Sequence, residues 1–438
     1  MPTYTPLESI VLTSAAASVT FSNISQNYQD LVLICNLAVN GTGNNVLCRY
    51  NGDTGSNYST TILSGDGSST YSQRYTNSSN GWLTGYFDGT ANQLYTKIIQ
   101  IQNYSNTTTY KTAIVRSSSA SREAMAGVGL WRSTAAITSV TVAATDLVLG
   151  STFDLYGVGL NAKATGGLMI ADENYWYHVF TASGSFTTTR ALTCDVLSVG
   201  GGGGGGWNNA GGGGGGEVDI LTGLSIASGV TKTVTVGGGG ATATSTAGPG
   251  GNGVTTSFGS DTTSLGGGGG GTGDASAANQ AGQTGGSGGG GALSSGGGNA
   301  SGSNTNVGGA GYASGGGGGQ YAGGGGGGAT SAGGSANLGT TTSGAGGQGY
   351  ALANIFSGLT LSGITHFGSG GSGGVYNGTR ALGGTNAGNG AQEGGSNINP
   401  TTPTANAGGG GGGGAYINVN SRQGSAGASG IVIVRYPV

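Results

Sequence analysis

Val199-Gly200-Gly201-Gly202-Gly203-Gly204-Gly205-Gly206-Trp207-Asn208-Asn209-Ala210-Gly211-Gly212-Gly213-Gly214-Gly215-Gly216-Glu217 is the stretch whose reading decides the fold. It opens a region, Gly200 to Gly414, with further unbroken runs at Gly266–Gly271, Gly315–Gly319, Gly323–Gly328 and Gly408–Gly414. Shorter runs stand at Gly237–Gly240 and Gly288–Gly291. Glycine loses the most backbone freedom on folding and brings no side chain to bury, so neither a helix nor an ordinary sheet is built this way. Whatever orders the region must use the main chain itself.

One conformation can. A polyglycine-II strand is an extended left-handed helix of three residues per turn, rising ~3.1 Å per residue with no internal hydrogen bonds. Its N–H and C=O groups point outward in three directions. Without Cβ atoms, neighbours come close enough to bond one another laterally, and a run of six glycines spans roughly 19 Å. Such a bundle is rigid, and loops emerge where the runs end. The competing reading is a disordered low-complexity linker.

The flanks favour the bundle. Trp176–Thr181 alternates Trp176, His178 and Phe180 with Tyr177 and Val179, and Ser185–Thr188 and Leu192–Val199 continue the pattern into Gly200. Glu217–Leu221 and Thr231–Val236 read as further strands, and Gly430-Ile431-Val432-Ile433-Val434-Arg435-Tyr436 closes the chain. These strands can pair with one another, so the region has anchored ends.

Composition narrows the class. Of 104 glycines only 14 fall in residues 1–160, so the chain has two parts. Collagen needs glycine at every third position and abundant proline, and there are 6 prolines in all. Charged residues are 7%, 13 basic against 16 acidic, with no basic stripe for phosphates, so no nucleic-acid partner is expected. The start shows no basic or apolar leader pattern, and no apolar run approaches the ~20 residues of a membrane span. Cys35, Cys48 and Cys194 have no metal-ligand spacing, and a Cys35–Cys48 bridge is permitted without being required. A Ser/Thr/Asn/Gly-rich surface without secretion signals suits a protein released by lysis, such as a virion part.

Residues 1–158 carry short apolar segments between turn-rich clusters. They are Ile10–Leu12, Leu31–Leu37, Asn45–Tyr50, Lys97–Gln102, Tyr110–Val115, Val128–Trp131, Ile137–Val142 and Phe153–Val158. Segments of this length and β-branched content predict an all-β sandwich of jelly-roll type, with Trp82, Phe87, Trp131 and Phe153 in its core. Residues 159–174 read as a linker and 175–438 as the strand-framed glycine-rich domain. The loop Asn51–Asn57 has the oxygen-rich composition of a calcium turn, but its single carboxylate, Asp53, favours a plain hairpin loop.

With these residues in view, the chain resembles a known group. Tyr177-His178-Val179-Phe180-Thr181, Asp195-Val196-Leu197-Ser198-Val199 running into polyglycine, and the terminal Gly430–Tyr436 strand are similar to the glycine-rich domains of phage tail and fibre proteins. In distal fibre adhesins of T-even-like phages a polyglycine-II sandwich presents variable loops to host receptors. The module containing Leu130-Trp131-Arg132-Ser133-Thr134 resembles modules in structural proteins of marine and cyanobacterial phages. This chain departs from the T-even-like adhesins by carrying a full β module in front. The resemblance implies docking to other virion proteins through residues 1–158 and binding of a host polysaccharide or outer-membrane receptor through loops. Assembly as a homo-oligomer such as a trimer is a further expectation.

Chemistry offers less. His178 and His366 are far apart in sequence, and Asp172-Glu173 and the Glu217, Asp219 pair read more simply as structural or solvated groups than as hydrolytic carboxylates. Polyglycine satisfies G-x-G-x-x-G trivially, with no Lys-Ser/Thr after it. No enzyme, cofactor or metal is expected. Binding has better candidates, because an aromatic ring supplies apolar area while amide neighbours orient a ligand. They are Trp207, Asn208, Asn209, Tyr312, Tyr321, Tyr350, Phe367, Tyr376 and Arg380, with Phe356, His366 and Tyr416 nearby in the pattern. Ala329–Ala407, the longest interval without a run of five glycines, is the expected exposed tip. The reading is a phage virion surface protein acting as an adhesin. The alternatives are a capsid decoration or head fibre, and a polysaccharide depolymerase.

Overall fold

The computed structural model describes residues 4–40, 45–86, 93–119, 123–160, 162–172, 174–245, 248–273, 277–292, 316, 318, 321–336, 342–394, 397–416 and 423–438. The chain divides into two compact units, residues 1–162 together with Val438, and residues 163–437.

In the first unit the strands are β1 (Thr5–Val11), β2 (Ala16–Phe21), β3 (Tyr28–Leu37), β4 (Asn45–Tyr50), β5 (Tyr58–Gly65), β6 (Thr70–Ser78), β7 (Trp82–Tyr86), β8 (Tyr95–Gln102), β9 (Lys111–Ser119), β10 (Glu123–Trp131), β11 (Val140–Leu147) and β12 (Thr152–Leu160). One sheet runs β1-β12-β3-β8-β9-β10-β5-β6 and the other β2-β11-β4-β7. The sets β1-β12-β3-β8 and β2-β11-β4-β7, between which the chain alternates except at β4 and β7, have the order of a jelly roll. Strands β9, β10, β5 and β6 extend the first sheet. Trp82, Trp131 and Phe153 are buried in the core as expected; Phe87 lies outside the described residues.

Close packing there depends on side chains fitting beside backbone. A Cβ on Gly129 would stand 2.3 Å from the Trp82 ring, so glycine is what lets the indole lie on β10. Lys97 is wholly buried, its amine donating to Thr84 O (3.0 Å) and Ser117 Oγ (2.7 Å). Burial pushes its pKa down to about 7, against the opposing pull of Cys35 and Glu123. Cys35 and Cys48 are free buried thiols, and burial pushes Cys35 up to about 12. In the Asn51–Asn57 loop the Asp53 carboxylate accepts from Trp131 Nε1 (2.6 Å), Asn57 Nδ2 (2.9 Å) and the Gly55 N–H (2.8 Å). Burial alone would raise its pKa, but those donors outweigh it and hold it below the usual range. Asp53 thus serves as the pin of a hairpin loop.

The second unit begins inside the span expected to be a linker. β13 (Ala164–Thr165) and β14 (Leu168–Ala171) pair with β16 (Gly184–Thr188) and β15 (Tyr175–Phe180) respectively. Residues 164–165 and 168–171 are therefore sheet rather than connection, because Gly166 and Gly167, both at positive φ, turn the chain between two pairing segments. The remaining strands are β17 (Leu192–Val199), β18 (Val218–Ile226), β19 (Thr231–Thr235), β20 (Thr256–Phe258), β21 (Thr262–Ser264), β22 (Tyr350–Ala351), β23 (His366–Phe367) and β24 (Ile431–Pro437).

The framing strands do pair: one sheet runs β14-β15-β24-β17-β18, and a second β13-β16-β19-β20-β21. β24 is central and buried on both faces. Val432, Val434 and Tyr436 meet Phe186, Val234 and Phe258 on one side, and Ile431 and Ile433 meet a core containing Phe356 and Phe367 on the other. That is why its sequence is a continuous apolar run instead of an alternation.

Between the strands lies the glycine bundle. Gly201, Gly202 and Gly203 donate their N–H groups to Val254, Ala428 and Gly214 (2.9, 2.9 and 2.8 Å), three different neighbouring segments. Gly204, Gly205 and Gly206 return to the same three neighbours one turn on, at Gly251, Ser425 and Gly211 (2.9, 2.9 and 3.0 Å). Their carbonyls accept from three further segments: Gly201 and Gly204 from Gly267 and Gly270, Gly202 and Gly205 from Gly240 and Ala243, Gly203 and Gly206 from Gly411 and Gly414. The run 200–206 therefore has six bonded neighbours. It donates to the three antiparallel ones and accepts from the three parallel ones, with a repeat of three residues. A three-residue repeat is the period of an extended left-handed helix.

The spacing leaves no room for side chains. A Cβ on Gly203 would lie 2.1 Å from Gly268 O, and one on Gly213 would lie 2.0 Å from Gly203 O. At the rim, where a lattice neighbour is missing, serine stands in: Ser425 Oγ accepts from the Gly412 N–H (2.8 Å) and donates to Thr401 O (2.8 Å).

A candidate binding surface at the far end of the bundle

Run direction fixes which residues end where. Gly200 leaves β17 and the run climbs to Gly206, Trp207–Asn209 turn the chain, and Gly211–Gly216 descend to β18. The segments 368–374 and 408–414 climb beside them, while 323–328 descends. The bundle thus has a near end at the sheets and a far end of turns.

The turn at the far end needs residues that tolerate left-handed backbone. Asn208 and Asn209 have φ of 66° and 49°, a region asparagine tolerates better than most side chains. Both are buried, and Asn209 Oδ1 accepts the Tyr416 N–H (3.1 Å). Trp207 is half-buried, its N–H donating to Thr272 Oγ1 (3.2 Å) and its carbonyl accepting from Gly273 (2.9 Å).

Beside this turn three tyrosines form a row. Tyr321 and Tyr376 have ring centroids 6.0 Å apart, and Tyr376 and Tyr416 5.8 Å apart in an edge-to-face arrangement. The Tyr376 N–H donates to Tyr321 O (2.9 Å). Tyr321 is 50% exposed; the other two are half-buried. Each ring stands two residues beyond the end of a glycine run, in Tyr321-Ala322-Gly323, Gly374-Val375-Tyr376 and Gly414-Ala415-Tyr416. The residue between is small and buried, Ala322, Val375 or Ala415. The common offset from aligned runs is what brings the rings together, and it was the available signal for placing Tyr416 with the others.

Glu393 belongs to the same end and carried no recognisable sequence signal. Its N–H donates to Val375 O (3.0 Å) and its carbonyl accepts from Gly378 (3.3 Å), so its backbone brackets Tyr376. Its side chain is 8% exposed, and Oε2 has no hydrogen-bond partner among the described residues. Arg380 is half-buried one segment away, donating through Nη1 to Gly390 O (3.2 Å) and Asn399 O (3.4 Å), where it ties chain segments together. Tyr312 lies outside the described residues.

Two expected binding residues sit elsewhere. Tyr350 and Phe367 are on the paired strands β22 and β23 at the near end. Phe367 is fully buried, and Tyr350 packs against the same core as Leu352, Phe356, Leu359 and Ile364. These apolar residues cover the face of the sheet holding Tyr177, Val179, Ile431 and Ile433, which would otherwise be open to water. The expected tip Ala329–Ala407 is therefore no single tip: its middle, 350–367, is base, and 375–380 and 391–393 belong to the far end.

The titratable groups considered for chemistry are also at the near end. His178 is buried, with Nδ1 2.7 Å from Gly166 O and Nε2 2.9 Å from the Tyr436 hydroxyl. The carbonyl requires Nδ1–H, so Nε2 accepts from the tyrosine, and burial holds the imidazole pKa below its ordinary value. Glu217 Oε2 accepts the Leu265 N–H (2.7 Å), and Asp219 Oδ2 accepts from Ser264 Oγ (2.9 Å). Burial pushes Asp219 up to about 6, with the Ser264 bond opposing. These carboxylates close the hydrogen bonding where strands give way to glycine runs. His366 is half-buried, with Nδ1 3.2 Å from Thr365 Oγ1.

Among the described residues no helix is long and apolar enough to cross a membrane. Searches among curated proteins and among solved structures each returned no match. The family model of the glycine-rich domain matches residues 181–437, more than half of the chain, and the chain belongs to that family.

Proposed function

We propose that the chain is a phage virion surface protein that attaches the particle to the host envelope, with the far end of the glycine bundle as its contact surface. The observation that carries this reading is the pairing of a laterally bonded, side-chain-free bundle with a row of three tyrosines at its far end, one of them half exposed. A stiff block ordered by its own backbone is suited to holding turns in fixed positions, and preorganised turns bind with less ordering cost. Residues 1–158 dock onto other virion proteins in this reading, and several copies on one particle add avidity. The mechanism is adhesion, without chemistry, cofactor or metal.

A second reading, a capsid decoration or head fibre, is favoured by the jelly-roll strand order of the first unit, an architecture used by viral capsid proteins. A depolymerase draws no support from Glu217 and Asp219, which are buried and engaged with Leu265 and Ser264. Replacing residues 207–209 and 375–378 with Gly-Ser turns separates the first two. Lost adsorption with intact particles supports the adhesin, and unchanged adsorption with fragile particles supports decoration. Release of reducing sugar from host polysaccharide would establish the third.

A further inference from the structure

We propose that β6 is a dimerisation edge, and that its occupant is β6 of a second copy of this chain, laid antiparallel across a two-fold axis at Gln73. This does not depend on the adhesin reading. Two features carry it. The first is an open edge. β6 ends the eight-stranded sheet and is bonded to β5 on one side. An edge strand turns a row of its N–H and C=O groups away from the sheet, a template for another strand. The opposite edge of the same sheet is blunted: β1 carries Pro6, Glu8 and a register shift between them. β6 has no proline, and Thr70–Tyr75 keeps unbroken register with Gly65–Thr60, the shift coming only beyond Tyr75. Seven of its nine residues are exposed, so a partner strand can reach the edge.

The second feature says what pairs there. Thr70-Tyr71-Ser72-Gln73-Arg74-Tyr75-Thr76 reads the same in both directions apart from Ser72 and Arg74. Two antiparallel copies centred on Gln73 therefore set Tyr71 opposite the partner's Tyr75, Thr70 opposite the partner's Thr76 and Gln73 opposite the partner's Gln73. Aromatic pairs and threonine pairs directly opposite one another stabilise antiparallel strands. The contact uses the same patch on both subunits and closes on itself, so pairing stops at two. An unrelated extended peptide would take the same main-chain bonds, but it gives no reason for a palindrome. Ser72 meets the strand's one charge, Arg74, and the two arginines stand on a diagonal on the face away from the tyrosines.

The test is the oligomeric state of the full chain by sedimentation equilibrium across a micromolar range, with hydrogen exchange of β6. A monomer–dimer equilibrium is expected, with β6 amides protected in the dimer. Gln73→Glu and Gln73→Lys set like charges opposite each other, so each alone should weaken the dimer about tenfold, and mixing the two should restore it. Arg74→Ser completes the palindrome and removes the diagonal repulsion, so it should tighten the dimer. A chain monomeric throughout overturns the proposal, whether its β6 amides exchange freely or are covered by another segment of the chain. A trimer overturns the two-fold axis, and a dimer indifferent to the Gln73 substitutions overturns this edge as its interface.

Discussion

The jelly roll and the glycine bundle solve the same problem with opposite means. In residues 1–162 the interior is side chains: Trp82, Tyr50, Tyr58 and Phe153 are packed between two sheets. In the bundle the interior is main chain, and each run is held by bonds to neighbours on several sides. Side chains in the first region can be exchanged for others of like volume at modest cost. In the second there is no side chain to exchange, and the tolerated set at a central position is glycine alone. Stability of the one is carried by apolar area, and of the other by lateral hydrogen bonds at close approach.

Substitutions can break or sharpen that contrast. The largest effect is expected from Gly203→Ala combined with Gly213→Ala. Each added methyl meets backbone oxygen at 2.1 and 2.0 Å, which no rotamer change relieves. We expect a joint loss on the order of 4–6 kcal/mol, at the upper end of overpacking costs, seen as a collapsed melting transition of the second unit alone. Next is Trp82→Ala, which removes the largest fully buried side chain of the first unit. It should cost about 3–5 kcal/mol and leave the second transition in place. A single merged shift in either variant would show that the two regions are not stabilised independently.

A smaller effect is a dependence of the jelly roll's stability on pH. Lys97 titrates near 10.4 when unfolded and is pushed down to about 7 when folded. Between these values the unfolded chain holds the extra proton, so stability climbs as pH rises from about 7, by up to about 1.4 kcal/mol per pH unit. Above about 9 the buried Cys35 and Cys48 thiols, both pushed up by burial, together reverse the trend, since the folded chain keeps two protons that the unfolded chain releases, against the one of Lys97. Denaturant midpoints across this range should peak near pH 9, and Lys97→Met should flatten the rise while keeping the fall. The smallest effect is Gly238→Ala: a Cβ there meets nothing within 4 Å. Lowering the unfolded chain's entropy should then stabilise slightly, by about 0.4–1 kcal/mol, the opposite sign to Gly203→Ala.

Sequence reasoning reached the frame because β24 opens with the apolar run Ile431–Val434 and β17 is a short, mostly apolar segment leading straight into the glycines. It missed β2, β5, β6 and β7 as strands. In β5 the inward positions Tyr58, Thr60, Ile62 and Ser64 mix polar with apolar, and in β6 nearly every residue faces water, so neither shows a clean alternation. The bundle was inferable because consecutive glycines leave few other ways to be ordered. Which aromatic sits at which end was not. Phe367 and Tyr376 both flank the run Gly368–Gly374, yet one lies in the near core and the other at the far end, and only the direction of the run separates them. Glu393 was invisible because its orphaned oxygen is a property of packing, not of its neighbours in sequence.

Amide hydrogen exchange of the glycines in 200–216 tests the central claim most directly. If these runs are held by lateral bonds, their amides exchange as slowly as those of the core strand β3 and open together with the second unit. Exchange at the rate of a free peptide, with β3 still protected, would contradict it.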